Sequence, residues 1–293
     1  MSRAEPPTIQ FRLKPLSLDS EALKARLIAD LPEAAGAIHG AARRGSAAAQ
    51  LVYAQLLLDG RGVARDPVAA LAWFQRAAEQ GEPEAWNMIG RCHEKGWGTT
   101  QDYVRAIPYF ERAIALGHVW AKVNLAQILM RLGDPADRPR ARRLFEEAAK
   151  AGNLKAINSL ARFLEEGWAG PVDPRRAAAL YRVAAERGDH WAQFNLATLI
   201  YAHGDAEEAL AWLDRCIAKS DDGFRGRIAE VLLRQPDDRL RRAGAAALAR
   251  CVPHTDRPAA YAPRPGGLAR FKQAVRRMRP FKPPGLRPVS VQR

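Results

Sequence analysis

A period of about 36 residues runs through this 293-residue chain, and no other feature restricts the fold as strongly. Gly45, Gly81, Gly117, Gly152 and Gly188 lie 36, 36, 35 and 36 residues apart. Eleven residues before each stands an alanine: Ala34, Ala70, Ala106, Ala141 and Ala177. Four residues after each stands another: Ala49, Ala85, Ala121, Ala156 and Ala192. Fifteen residues before the last four glycines comes an aspartate, Asp66, Asp102, Asp137 or Asp173. The register continues through Asp205 and Ala209 to Ser220, where serine replaces the glycine.

Each unit reads as two helices. The first carries apolar residues at helical spacing, as in Leu125 with Leu129 and Leu196 with Ile200. The second begins at the aspartate, an N-cap acceptor that Pro67 and Pro174 follow at the first helical position. Its centre pairs two bulky residues between small ones, as in ALAWFQRAA and AAALYRVAA, so that helix axes approach closely and the bulky pair fills the gap. The glycine then closes the helix in the left-handed conformation. Pro108 enters the second helix of unit two and is expected to kink it or confine its first turn. Unit five turns compactly at Gly204-Asp205, whereas units one, two and four carry the loops GRGVARD, GWGTTQD and GWAGPVD.

The ends depart from the period. Residues 1–45 read as an N-terminal segment, with a helix from Asp19 to Leu31, leading into a half-repeat cap. Residues 46–220 hold five repeats, and 221–252 form a degenerate helical cap. Residues 253–293 form a disordered proline-rich tail, with a short amphipathic helix near 267–279. Charge follows this division. The formal net charge is +14, but residues 41–223 hold 24 basic against 23 acidic residues, while the tail holds ten against one. A neutral array with a basic tail points to two separable functions.

The pattern resembles the Sel-one-like repeat family, tetratricopeptide-related repeats with a longer, glycine-containing loop. The resemblance rests on Asn124-Leu125-Ala126 and Asn195-Leu196-Ala197, on the Gly60–Asp66 loop, and on AxxWFxxAAxxG from Ala70 to Gly81. It covers about residues 41–220 and implies an all-α fold, an α/α solenoid wound as a right-handed superhelix. Unit three departs from the pattern, with RLGDPADRPRA where glycines are usual.

Little in the chain carries chemistry. Cys92, Cys216 and Cys251 are odd in number and lack CxxC spacing, so no disulfide framework is expected. No export signal and no membrane-length apolar run is visible, which favours a cytoplasmic location. His118 and His190 follow repeat-ending glycines and read as turn formers. Cys92 and His93, being adjacent on a helix, point to different sides and read as packed residues, not a thiolate pair. The glycine loops follow no strand and recur at the repeat period, so turn geometry explains them rather than phosphate binding. The acidic pairs Glu146-Glu147, Glu165-Glu166 and Glu207-Glu208 are expected on solvated helix faces or ends. No catalytic residue, metal site, cofactor or small-molecule substrate is expected, and an enzyme is the least supported reading.

What remains is a surface. The resemblance implies a groove lined by first helices, with Asn87, Arg91, Asn124, Gln127, Asn158, Arg162, Asn195 and Thr198 facing a protein partner. Asn and Arg there suit a peptide backbone and acidic groups, while the alternative for Asn124 and Asn195 is that they brace neighbouring backbone. The expected function is a non-catalytic scaffold or adaptor. The alternative is a peripheral protein that meets an anionic membrane or nucleic acid through Arg270, Lys272, Arg276, Arg277 and Arg279.

Overall fold

The computed structural model describes residues 31–251, which contain thirteen α-helices, one 3-10 turn and no strand. They run α1 (Leu31–Arg43), α2 (Ala47–Asp59), α3 (Pro67–Glu79), α4 (Pro83–Lys95), α5 (Tyr103–Ala115), α6 (Val119–Leu132), the turn Pro135–Asp137, and α7 (Arg138–Lys150). Then follow α8 (Leu154–Glu166), α9 (Pro174–Glu186), α10 (His190–Ala202), α11 (Ala206–Lys219), α12 (Asp222–Leu233) and α13 (Asp238–Ala249). The fold is an all-α solenoid of helix pairs. Apart from Leu31, the expected helix at Asp19–Leu31 lies outside the described residues, as does the whole of 253–293.

The periodic residues have separate physical tasks. Every alanine of both registers is at most 2% exposed, so a larger side chain there would hold two helices apart. The second alanine register is also the third residue of each first helix. Ser46, His118, Asn153 and Asp189 accept from the backbone N–H of Ala49, Ala121, Ala156 and Ala192 at 3.3, 3.1, 3.0 and 2.7 Å. Second helices are capped by Asp66, Asp102, Asp173 and Asp205, which accept from the N–H of Ala69, Arg105, Arg176 and Glu208 at 2.9–3.0 Å. The five repeat-ending glycines have φ between 80° and 96°, as a left-handed C-terminal cap requires.

Residues are divided into two compact units between Leu160 and Ala161. In the first, each of α1 to α6 packs on the next, and α4 also touches α6. The aromatic centre of each second helix fills the space so made, with Phe74 and Phe110 fully buried. Gly90 lets α4 approach α5: a Cβ there would lie 2.8 Å from the Phe110 ring. In the second unit α9 packs on α10, α10 on α11, α12 on α13, and α11 also on α13. Tyr181 is its fully buried central aromatic.

Three local expectations change. Helix α5 runs from Tyr103 through Pro108 to Ala115, so the proline does not confine its first turn. Pro108 lies on the exposed face, and the carbonyl deprived of its donor belongs to Val104, a residue 64% exposed. Asp137, in the aspartate register, makes no side-chain cap to α7. Instead Asp134 caps the preceding 3-10 turn by accepting from Ala136 N–H at 2.8 Å. At the start of α10 the cap is Asp189, and His190 is already the first helical residue.

Candidate functional site

The residues that face outward from the first helices are the candidates for binding, and the structure draws several into fixed contacts. In the first unit, His118 caps α6 through Nδ1, which accepts from Ala121 N–H, so the proton resides on Nε2. That Nε2 donates to Glu84 Oε2 at 2.6 Å. Asn87 Nδ2 donates to the other oxygen, Oε1, at 3.0 Å. Asn124 Nδ2 in turn donates to Asn87 Oδ1 at 2.8 Å. Four side chains from α4 and the start of α6 thus form one connected polar strip across two repeats.

Asn87 is buried within this strip, while Asn124 and Gln127 are partly buried. Asn124 braces a neighbouring side chain rather than backbone. Asn158 is buried on α8. In the second unit Thr198 Oγ1 donates to the carbonyl of Asn195 at 2.8 Å, so that pair is tied within its own helix.

Arg91 and Arg162 share a different arrangement. Each guanidinium lies over the tryptophan six residues on, Arg91 over Trp97 and Arg162 over Trp168, at 5.1 Å from the ring centroid. Burial lowers the Arg91 pKa, against the opposing pull of Glu94 and Glu84. Both belong to one sequence pattern, RxxExGW, at 91–97 and 162–168. The periodic glycine reading passed over this spacing, although it is the signal that marks both tryptophans. Of the two glutamates of the pattern, Glu165 departs from the solvated face expected of the Glu165-Glu166 pair. Glu94 is buried and pairs with Lys95 Nζ at 2.6 Å. Glu165 accepts from the hydroxyl of buried Tyr181 at 2.7 Å, and burial raises its carboxyl pKa more than that bond lowers it. Glu84 and His118, which anchor the polar strip, were likewise not marked as site residues by the sequence.

The other chemically active side chains are packed. Burial pushes the Cys92 and Cys216 thiols up to about 12, so neither offers a thiolate. His93 stacks on Tyr109 with centroids 5.1 Å apart and planes 7° from parallel, and burial lowers its pKa. Among the described residues no group of three or more His, Cys, Asp or Glu side chains is placed to hold a metal ion. No helix among them is long and apolar enough to cross a membrane. Arg270, Lys272, Arg276, Arg277 and Arg279 lie outside the described residues.

Comparison with known proteins agrees with this geometry. A Sel1 repeat protein from Oxalobacter formigenes has the same fold, with a TM-score of 0.65, 22% identity, and coverage of 78% of this chain and 98% of that one. A protective antigen present in uropathogenic Escherichia coli strains, which displays an SLR fold, aligns with a TM-score of 0.57 and 25% identity. That alignment takes in 75% of this chain but 49% of the antigen, so the chain spans about half the antigen's length. No curated protein matches the chain. The Sel1 repeat pattern itself matches residues 47–82, 83–118, 121–153, 154–189 and 192–218, more than half of the sequence, and the chain belongs to the Sel1 repeat family.

Proposed function

We propose that this chain is a non-catalytic adaptor that holds a protein partner against its first-helix faces. Sel1 repeats are in general protein-interaction scaffolds and not catalysts. The observation that carries the narrower reading is the polar strip from His118 through Glu84 and Asn87 to Asn124. Side chains already held by one another lose little rotamer freedom when a partner settles on them, which lowers the entropic cost of binding. Glu84, at 33% side-chain exposure, and partly buried Asn124 and Gln127 are the members a partner reaches. Arg91, flattened on Trp97, adds a cation in a restrained pose. Arg162 on Trp168, with Asn195 and Thr198, supplies the corresponding face of the second unit.

The test uses the full chain as bait in an extract of the source cell, followed by quantitative mass spectrometry. Arg91→Glu and Arg162→Glu reverse the charge on these faces and are expected to lose the captured partner. A chain ending at Cys251 is expected to retain it. Retention by both charge-reversed variants, with loss on truncation, contradicts the reading.

A further inference from the structure

The two RxxExGW segments differ in what answers their arginine. Burial lowers the Arg91 pKa, and the carboxylates of Glu94, Glu84 and Asp59 oppose it. Counted from the register alanines, the position of Asp59 in α2 is Arg131 in α6, and that of Glu84 in α4 is Lys155 in α8. Glu94 and Lys95 become Glu165 and Glu166. Three carboxylates against two cations in the earlier set are thus replaced by two against three in the later one.

Glu165, the acid that the pattern retains, is engaged elsewhere. The central aromatic of the following second helix is Phe110 in α5 and Tyr181 at the same register of α9. The Tyr181 hydroxyl donates to Glu165 Oε2 at 2.7 Å, a bond that Phe110 cannot offer Glu94. Among the described residues Arg162 forms no ion pair, and its Nη2 is shut away from water with no hydrogen-bond partner. The guanidinium stays over the Trp168 ring, 5.1 Å from its centroid. A buried donor on a charged group is costly to leave unbonded, so this one marks a place for an acceptor from outside the chain. Residue 162 is partly buried. An acidic side chain reaches such a position on its own methylenes, whereas a chain-terminal carboxylate would have to bring its backbone into the same space.

We propose that Arg162 takes the carboxylate of an aspartate or glutamate side chain of the partner, an assignment that rests on the adaptor reading and gives its second unit a chemical preference. Charge complementarity selects this occupant: an incoming acid restores at Arg162 the compensation that Arg91 already has within the chain.

Pools of short peptides, capped at both ends and randomised in uncharged residues around a fixed central Glu, Asp, Gln or Lys, test this when immobilised and offered to the full chain. The Glu and Asp pools are expected to retain it at least about tenfold more than the Gln pool at about 50 mM salt, and the difference to shrink at about 500 mM. Arg162→Gln is expected to erase the difference with circular dichroism unchanged, and Arg143→Gln on α7 to preserve it. Lys155→Glu, two helical turns before Arg162, puts a carboxylate where Glu84 stands relative to Arg91 and is also expected to erase it. If Arg162→Gln fails to fold, Lys155→Glu decides alone. Equal retention of the Glu and Gln pools overturns the proposal, as does failure to retain any pool. So does an acid preference that survives in folded Arg162→Gln, or retention only by pools whose terminal carboxylate is uncapped. The adaptor reading is judged separately, by whether Arg91→Glu and Arg162→Glu lose the captured partner.

Discussion

Asn124 donates to Asn87 at 2.8 Å across 37 residues of sequence, joining the first helices of two successive repeats by a side-chain hydrogen bond. Asn87 is 3% exposed and also donates to Glu84, so its polar atoms find no water if the partners are removed. Asn124→Ala is expected to cost about 1–2 kcal/mol by leaving Asn87 Oδ1 without its donor. Asn87→Ala removes both bonds and is expected to cost about 2–3 kcal/mol. Urea unfolding of both single variants and the double variant forms a cycle, and a coupling above about 0.5 kcal/mol is expected. Additive costs would show that the strip is not a connected unit.

Two glycines of positive φ, repeat-ending Gly81 and loop residue Gly98, separate conformational strain from close packing. Gly81 has φ 87° and open space around its Cα, whereas Gly98 has φ 69° and a Cβ there would lie 2.1 Å from the Pro67 carbonyl oxygen. Gly81→Ala is expected to cost about 1 kcal/mol, the strain of an L-residue in the left-handed region. Gly98→Ala adds a backbone collision and is expected to cost more than about 2 kcal/mol. Equal costs by thermal and urea unfolding would mean that the Gly96–Asp102 loop does not press on α3.

Glu165 links stability to pH in the less common direction. Burial raises its carboxyl pKa in the folded chain, so the ionised form opposes folding. Its contribution is therefore complete below the ordinary carboxylate range and is lost as pH rises through the raised folded value. Glu165→Gln is expected to match or exceed the parent in stability at pH 7 and to fall behind it on acidification. Tyr181→Phe removes the hydroxyl that donates to Glu165 and is expected to cost about 1–2 kcal/mol at pH 7. Urea midpoints between pH 4 and 8 decide it, and a Glu165→Gln penalty that grows with pH would refute the assignment.

Cysteine labelling separates packed from accessible thiols. Cys92 and Cys216 are buried with thiols pushed up to about 12, whereas Cys251 is partly exposed. A maleimide at pH 7.5 is expected to modify Cys251 rapidly and the other two only on unfolding, as peptide mass spectrometry would show. Rapid labelling of native Cys92 would place it outside the α4–α5 core.

The helical array was legible because its determinants are local and recur. An alanine that must be small, an aspartate that caps and a glycine that takes positive φ each announce themselves at one position of every period. Pro108 does not confine the first turn because it faces water, and which face it occupies is set by packing. Asp137 misled because Asp134, three residues earlier, competes for the same turn. The polar strip was hidden for a similar reason. Glu84, Asn87, His118 and Asn124 lie in different phases of the period, and their pairing follows from how α4 meets α6. Arg91 and Arg162 were placed by register alone, whereas their partners Trp97 and Trp168 lie in the loops that register treats as turns.

A protein partner is proposed to rest on the first helices. The most direct measurement is site-specific photocross-linking in the full chain, with p-benzoylphenylalanine at Gln127 on α6 or at Arg143 on the exposed face of α7. The captured partner is expected to cross-link from Gln127 and not from Arg143. Cross-linking from Arg143 with none from Gln127 would contradict it.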